Sequence, residues 1–436
     1  MQTLPKGSKK LLNAWAFYDW ANSVYSLVVS SAIFPLFYAM LFHNATTKQI
    51  VFLGINFKST ALISFITAFA FLVVSIISPI LSGIADYTGK KKYFMKFFCW
   101  LGALSTIGLY WFSLDHITIS LLFYFGGLVG FWGSLVFYNS YLPDIAFPEQ
   151  QDKISAKGYS LGYIGSVILM IVNLLMVLKP SWFYINEATP ELSANLAMRI
   201  SFLTVGIWWI LFSQYSFKYL PVYPSKGKIT KNVVFSGIKE LKNVWGNLKN
   251  TPVLKKYLSS FFVYSMAVQT VMLVATYFGE EEIAWSGEGK TMGLIISILL
   301  IQLIAVVGAI LTAKLSAKIG NIKALIIINS IWLVICGAAY FVTTPLHFYI
   351  TAGFVGLVMG GIQSLSRSTY SKFLPETKDT TSYFSFYDVT EKIGIVIGML
   401  IYGAIDQVTG SMRNSIVFLM VFFAVGIYLL QKVDKE

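Results

Sequence analysis

Charge and sulfur are scarce in this chain. Only 12% of its 436 residues are Asp, Glu, Lys or Arg, about half the usual share of a soluble domain. Cysteine occurs twice, as Cys99 and Cys336. Each lies inside an apolar run, where a lone thiol reads as a small packing residue, and there is neither CxxC spacing nor a Cys/His cluster. The histidines His43, His116 and His347 fall at outer loops or the ends of apolar segments. No HExxH or phosphate-binding P-loop occurs. With metal and thiol chemistry unsupported, an enzyme is not expected, and no cofactor is implied beyond a transferable proton.

What the chain has instead is hydrophobic length. Its hydrophobic share is 56%, gathered into runs near 14–42, 58–85, 93–113, 117–142, 155–179, 196–219, 255–279, 291–313, 322–343, 347–374, 382–408 and 412–431. A helix needs about 20 mostly apolar residues to cross the hydrocarbon core, and in lipid it satisfies its own backbone groups. The sequence therefore predicts an all-α membrane protein with 12 transmembrane helices. The first run is too long for the core of a cleaved signal and is interrupted by Asp19 and Trp20, so it reads as a retained span.

The net charge of +13 would suggest nucleic acid in a soluble protein, but its distribution argues otherwise. With these spans, 26 of the 33 Lys and Arg fall on one side, the bias of cytoplasmic loops. Both termini are then expected inside, with Glu280, Glu281 and Glu282 outside. Short outer loops fit a bacterial inner membrane; a vacuolar or lysosomal membrane remains an alternative. Asn44-Ala-Thr46 is a lone glycosylation sequon of chance frequency. The expected partners are a small-molecule solute and membrane lipids, with the lysines facing the anionic inner leaflet. No nucleic acid is expected, and the expected state is a monomer.

The polar stretch 220–254 divides six spans from six, giving an N-terminal bundle at 1–219 and a C-terminal bundle at 255–436. It carries Lys226, Lys228, Lys231, Lys239, Lys242 and Lys249, with Val234, Ile238, Leu241, Trp245 and Leu248 at helical spacing. This predicts an amphipathic helix, lying on the inner leaflet or docked on the protein. The halves also repeat one another. Ser82–Lys92 recurs as Ala313–Lys323 at an offset of 231, while Leu142-Pro143-Asp144 recurs as Leu374-Pro375-Glu376 and Gly162 as Gly394 at an offset of 232. Duplication on a six-plus-six layout is a transporter plan, with the solute site between the halves and rocking that exposes it to each side in turn.

The stretch from Ser82 to Lys92 resembles the signature between helices two and three of the major facilitator superfamily, matching at Asp86, Gly89, Lys91 and Lys92. It departs at Ser82, where the pattern opens on Gly, and at Tyr87, where a basic residue is common; in the second copy the Asp has become Ala317. Gly89 suits a tight turn at positive φ, and the lysines suit an anionic leaflet. The resemblance implies that Asp86 faces the N-terminus of the eleventh span, where the helix dipole favours a carboxylate, and so latches the halves shut on the inner side.

Other stretches resemble one branch of that superfamily, the vacuolar amino-acid effluxer and autophagy-related permease family. They are Trp15 to Ser23, Tyr138-Asn139 through Pro143-Asp144, Ser155 to Ser166 with Gly158, Gly162 and Gly165, Gly360 to Ser368, and Phe384 to Asp388 with Lys392. This implies alternating-access transport of a small solute such as an amino acid, in the direction of export. Transport of sugars or organic anions, or solute sensing without flux, are the alternatives. The fourth span lacks Arg and Lys and the fifth lacks Pro, which disfavours a drug–proton antiporter.

Ionisable residues inside a membrane are costly and point to function. Asp19 and Asn22 lie in the first span with Tyr25 near the same face; the resemblance places this helix on the central cavity, where Asp19 and Asn22 would line or gate it. Glu391 and Lys392 are the deepest charges, with Asp388 one turn nearer the inner side on the same face. An Asp388–Lys392 pair at i, i+4 would leave Glu391 to carry a proton. The resemblance also puts Asn139, Gln269 and Gln363 on cavity-lining helices; an amide offers both donor and acceptor, which suits a zwitterion. Arg367, near the inner end of its span, reads as a gate residue. The glycines of the fourth and tenth spans read as close-packing faces.

Overall fold

The computed structural model describes residues 4–42, 49–223, 233–248, 250–285 and 289–433. His43, the Asn44–Thr46 sequon and Lys226, Lys228, Lys231 and Lys249 lie outside them. The chain runs through α1 (Lys9–Met40), α2 (Ser59–Thr88), α3 (Lys91–Gly108), α4 (Ile117–Asn139), α5 (Pro148–Leu178) and α6 (Pro190–Tyr219). A linker helix, Val233–Leu248, follows. Then come α7 (Pro252–Glu281), α8 (Gly289–Ile319), α9 (Asn321–Ala338), α10 (Pro345–Phe373), α11 (Thr380–Thr409) and α12 (Met412–Val433). Ten of these are long and apolar enough to cross a membrane by length and composition alone. The other two, α3 and α11, are too charged: Lys91, Lys92 and Lys96 open α3, and Asp388, Glu391, Lys392 and Asp406 lie in α11.

Local chemistry sets the helix ends. Pro148, Pro190, Pro252 and Pro345 open α5, α6, α7 and α10, where a missing N–H costs nothing. The Thr189 and Thr344 hydroxyls accept from the N–H groups of Leu192 and His347, satisfying exposed helix donors. Gly89, at φ 66°, ends α2, and Gly320, its equivalent 231 residues on, is also at positive φ, 87°, but its ψ is 157° against 13° at Gly89, so the two turns share a glycine and the sign of φ rather than one backbone conformation. Helix α1 is π-helical over Tyr25–Ile33. One element departs from the all-helical expectation: β1 (Gln49–Phe52) pairs antiparallel with β2 (Ile55–Lys58). Leu53 and Gly54 join them at φ 51° and 80°, the two-residue turn that matches strand twist.

Two apolar cores form, one mainly from α1–α6 and one mainly from α7–α12. They meet where α5 packs on α8 and α10, and where α11 packs on α2 and α4. Close approach depends on glycine. An added Cβ on Gly130 would strike the backbone of Gly102, and one on Gly308 or Gly360 would strike the backbones of Leu357 and Ala305 across the α8–α10 contact. The linker helix docks on protein, against α2 and α11. Val244 and Leu248 are buried, and the Trp245 ring lies 5.7 Å from Phe386 of α11. Lys239 and Lys242 face outward.

Gly308→Leu is expected to destabilise the C-terminal bundle by about 1–3 kcal/mol, the usual cost of overpacking. Gly403→Ala, with nothing within 4 Å of the added carbon, should leave stability unchanged or raised. Thermal unfolding in detergent reads both, and equal midpoints for the two variants would contradict the close-packing account.

Candidate functional site: an inner gate and a midplane polar cluster

Arg367 of α10 is 2% exposed and reaches into the opposite bundle. Its guanidinium lies 3.3 Å from the Asp19 carboxylate of α1. It also donates to Asn139 Oδ1 at 3.1 Å, Ser155 Oγ at 3.0 Å and the Ser155 carbonyl at 3.0 Å. Tyr138 donates to the same Asp19 oxygen at 2.7 Å. The rings of Trp15, Tyr138 and Tyr159 surround the cation at 4.7, 5.5 and 4.2 Å. Gly158 makes room for this on α5, since a Cβ there would sit 3.1 Å from the guanidinium and collide with Asp19. A buried ion pair persists only when its remaining donors and acceptors are also met, and the fork of Arg suits that task.

Asp86 lies at the start of α11, as the superfamily resemblance implies. It accepts from the backbone N–H groups of Thr381 at 3.2 Å and Ser382 at 2.7 Å, and from the Ser382 hydroxyl at 2.8 Å. The lysines differ from expectation. Lys91 is buried inside the latch, donating to Asp144 at 2.6 Å, Thr380 at 2.7 Å and the Ser140 carbonyl at 3.2 Å. Lys92 donates to the Leu220 carbonyl at 2.8 Å past the end of α6. Neither is a free contact for the leaflet, because each ammonium is held by backbone or side-chain acceptors of the protein.

The second copy of the turn, where Ala317 replaces the acid, is latched by other means. Asp152 of α5 accepts from Ser316 at 3.0 Å and Asn321 at 2.9 Å, and pairs with Lys372 of α10 at 2.7 Å. Sequence reading missed this cluster. The available signal was a polar Ser, Asn and Lys set around the degenerate motif, with an acid just inside a Pro-initiated helix.

Nearer the midplane, Lys392 pairs with Asp388 one turn back and sits 4.6 Å from the Trp132 ring of α4. Glu391, half-buried, accepts from Gln269 at 2.7 Å. Tyr163 of α5 donates to Gln363 of α10 at 2.5 Å, bridging the bundles. Asn22 is 1% exposed, and its amide nitrogen has no partner. Two candidates fall elsewhere. Tyr25 turns into the N-terminal core, its ring 5.2 Å from Phe131 and 5.7 Å from Trp209, because the aromatic body finds its largest burial there. Asn139 belongs to the Arg367 gate rather than the cavity, since it ends α4 on the inner side. Two open clefts lie apart from this cluster, one beside Asn321 and Lys372 and one between Asn13, Phe17, Lys157 and Tyr215.

Comparison with known proteins covers nearly the whole chain. A family model described as "Vacuole effluxer Atg22 like" matches residues 7–436. An uncharacterized MFS-type transporter of Bacillus subtilis (strain 168), YxiO, is 32% identical over 97% of this chain and 95% of its own length. Autophagy-related protein 22 of Kluyveromyces lactis is 24% identical over 99% of this chain and 95% of its own. Among solved structures, the proton:xylose symporter XylE aligns over 97% of this chain and 95% of its own with a TM-score of 0.71 at 13% identity. The human organic anion transporter MFSD10 aligns over 97% and 99%, with a TM-score of 0.70 at 11% identity; such identities speak to fold alone. With the repeated turns, the two facing bundles and these matches together, the chain belongs to the Atg22-like vacuole effluxer family, a branch of the major facilitator superfamily of multi-pass membrane transporters.

Proposed function

We propose that this transporter exports a small neutral or zwitterionic solute, an amino acid in the first instance, across a bacterial inner membrane in exchange for protons. Glu391 carries the reading. It is a midplane carboxyl whose one hydrogen-bond partner among the described residues is the neutral amide of Gln269, while the adjacent Lys392 is engaged by Asp388. A carboxyl so placed can take and release a proton as the bundles rock. The description of the matching family model, an effluxer, supports the direction. The Gln269 and Gln363 amides supply donors and acceptors for a polar solute. In this reading the arrangement is outward-facing: Arg367–Asp19, Asp86 with α11 and Asp152–Lys372 close the inner side, and all three part when the site turns inward.

Two outcomes follow. Arg367→Gln leaves the Asp19 charge buried without its partner, which should destabilise the closed inner seam by about 3–5 kcal/mol. The double variant Asp19→Asn/Arg367→Gln should recover a large part of that loss. Labelling of cysteines placed along the inner seam measures the closed population; if the double variant is labelled as readily as the single one, the pair is not what closes the gate. Glu391→Gln in liposomes loaded with amino acids should lose the acceleration a pH gradient gives the native protein. Full acceleration in that variant would assign proton coupling to another group.

A further inference from the structure

We propose that Glu391 is the seat of an ammonium group on the transported solute, and that a proton and that ammonium exclude one another there. The inference rests on the transport reading above and names what its site recognises. Every element packed around the carboxyl contributes. On α11, Lys392 is held by Asp388 and by the face of Trp132, and Tyr387 lies one turn back within electrostatic reach. From α7 come Gln269, which donates to it, and Tyr264; from α5 comes Tyr159. Among the described residues Glu391 is in no ion pair, and one of its oxygens accepts no hydrogen bond.

The remaining buried cation of this region, Arg367, is saturated by Asp19, Asn139 and Ser155. A solute entering between the bundles therefore meets one carboxyl with an open oxygen, the rims of three phenols and two amides, and no uncommitted positive charge. A buried carboxylate demands a counter-charge. An alkylammonium supplies it; a proton supplies it by removing the charge altogether. The protonated carboxyl no longer holds the ammonium, so the two occupants compete. Exchange then balances without a further group: the ammonium-bearing solute leaves outward, a proton takes the carboxyl, and the proton is released inward when the next solute binds. Anions, sugars and N-acylated amino acids lack the group that the site selects.

The test uses purified full-length protein in weakly buffered detergent with three sets of probes: neutral amino acids, their N-acetyl derivatives and their decarboxylated amines. Amino acids and amines should raise the unfolding temperature and release protons to a pH-indicator dye, with apparent affinity falling as the pH is lowered. N-acetyl derivatives should do neither. Glu391→Gln should abolish proton release and weaken amine binding at least tenfold, and Glu391→Asp, which keeps the carboxyl, should restore proton release. Equal binding of N-acetyl derivatives, or amine binding to Glu391→Gln at native affinity, overturns this inference while leaving amino-acid transport standing. If none of the amino acids or amines binds the native protein, the solute class proposed above falls, and this inference falls with it.

Discussion

Arg367 meets Asp19 where no water competes for either charge, and the rest of the inner seam is organised around the same division of labour. The N-terminal bundle presents acids: Asp19, Asp86 and Asp152. The C-terminal bundle presents what answers them: Arg367, the first N–H groups of α11, Asn321 and Lys372. This complementarity fixes which faces pair and in what register, since any slip would set a buried acid against carbonyls or another acid. It also keeps the closed state from being too stable. Each contact replaces hydration that becomes available again as the seam opens, and the net worth of such pairs is a small difference between desolvation and attraction. A gate built this way is specific in geometry and cheap to reverse, which is what rocking bundles need.

The two halves solve one closure problem with opposite chemistry. Gly89 and Gly320 both stand at positive φ in their turns, but the acid of the first turn is gone from the second, where Ala317 stands. Asp152 restores the contact from the other side, taking the Ser316 hydroxyl, the Asn321 amide and the Lys372 ammonium as donors. The duplication thus keeps the shape of the latch and transfers its charge. The result is that the carboxylates of the seam, Asp19, Asp86 and Asp152 together with Asp144, which accepts from Thr380 of α11, all belong to one bundle.

Spans and repeat were legible from apolar length and an offset near 231, whereas the Asp86 latch, whose partners lie 295 and 296 residues away, was implied only by the resemblance of Ser82–Lys92 to the superfamily signature. The partners of Asp19 and Arg367 were not legible, because 348 residues separate them and nothing in either segment specifies the other. Tyr25 misled for a related reason. Its spacing from Asp19 and Asn22 places it close to their face of an ideal helix, but its ring packs against Phe131 and Trp209 in the N-terminal core. Lys91 and Lys92 were read from charge and side of the membrane. Only the fold shows that Ser140, Asp144 and Leu220 offer them acceptors.

Helix α11 joins the pieces. Its first turn caps Asp86, Phe386 supports Trp245 of the linker helix, and Glu391 lies ten residues beyond Thr381, about 15 Å along the axis. The Asp388–Lys392 pair is internal to the helix, so in the proposed exchange the occupancy of Glu391 would act on α11 as one body. Tilting that body breaks or makes the bonds at Thr381 and Ser382. The linker helix packs on both α2 and α11 and therefore spans the seam those bonds close. A charge change at the midplane and a contact change at the inner surface are thus two ends of one rigid element, and the chain that connects the bundles rests across its moving edge.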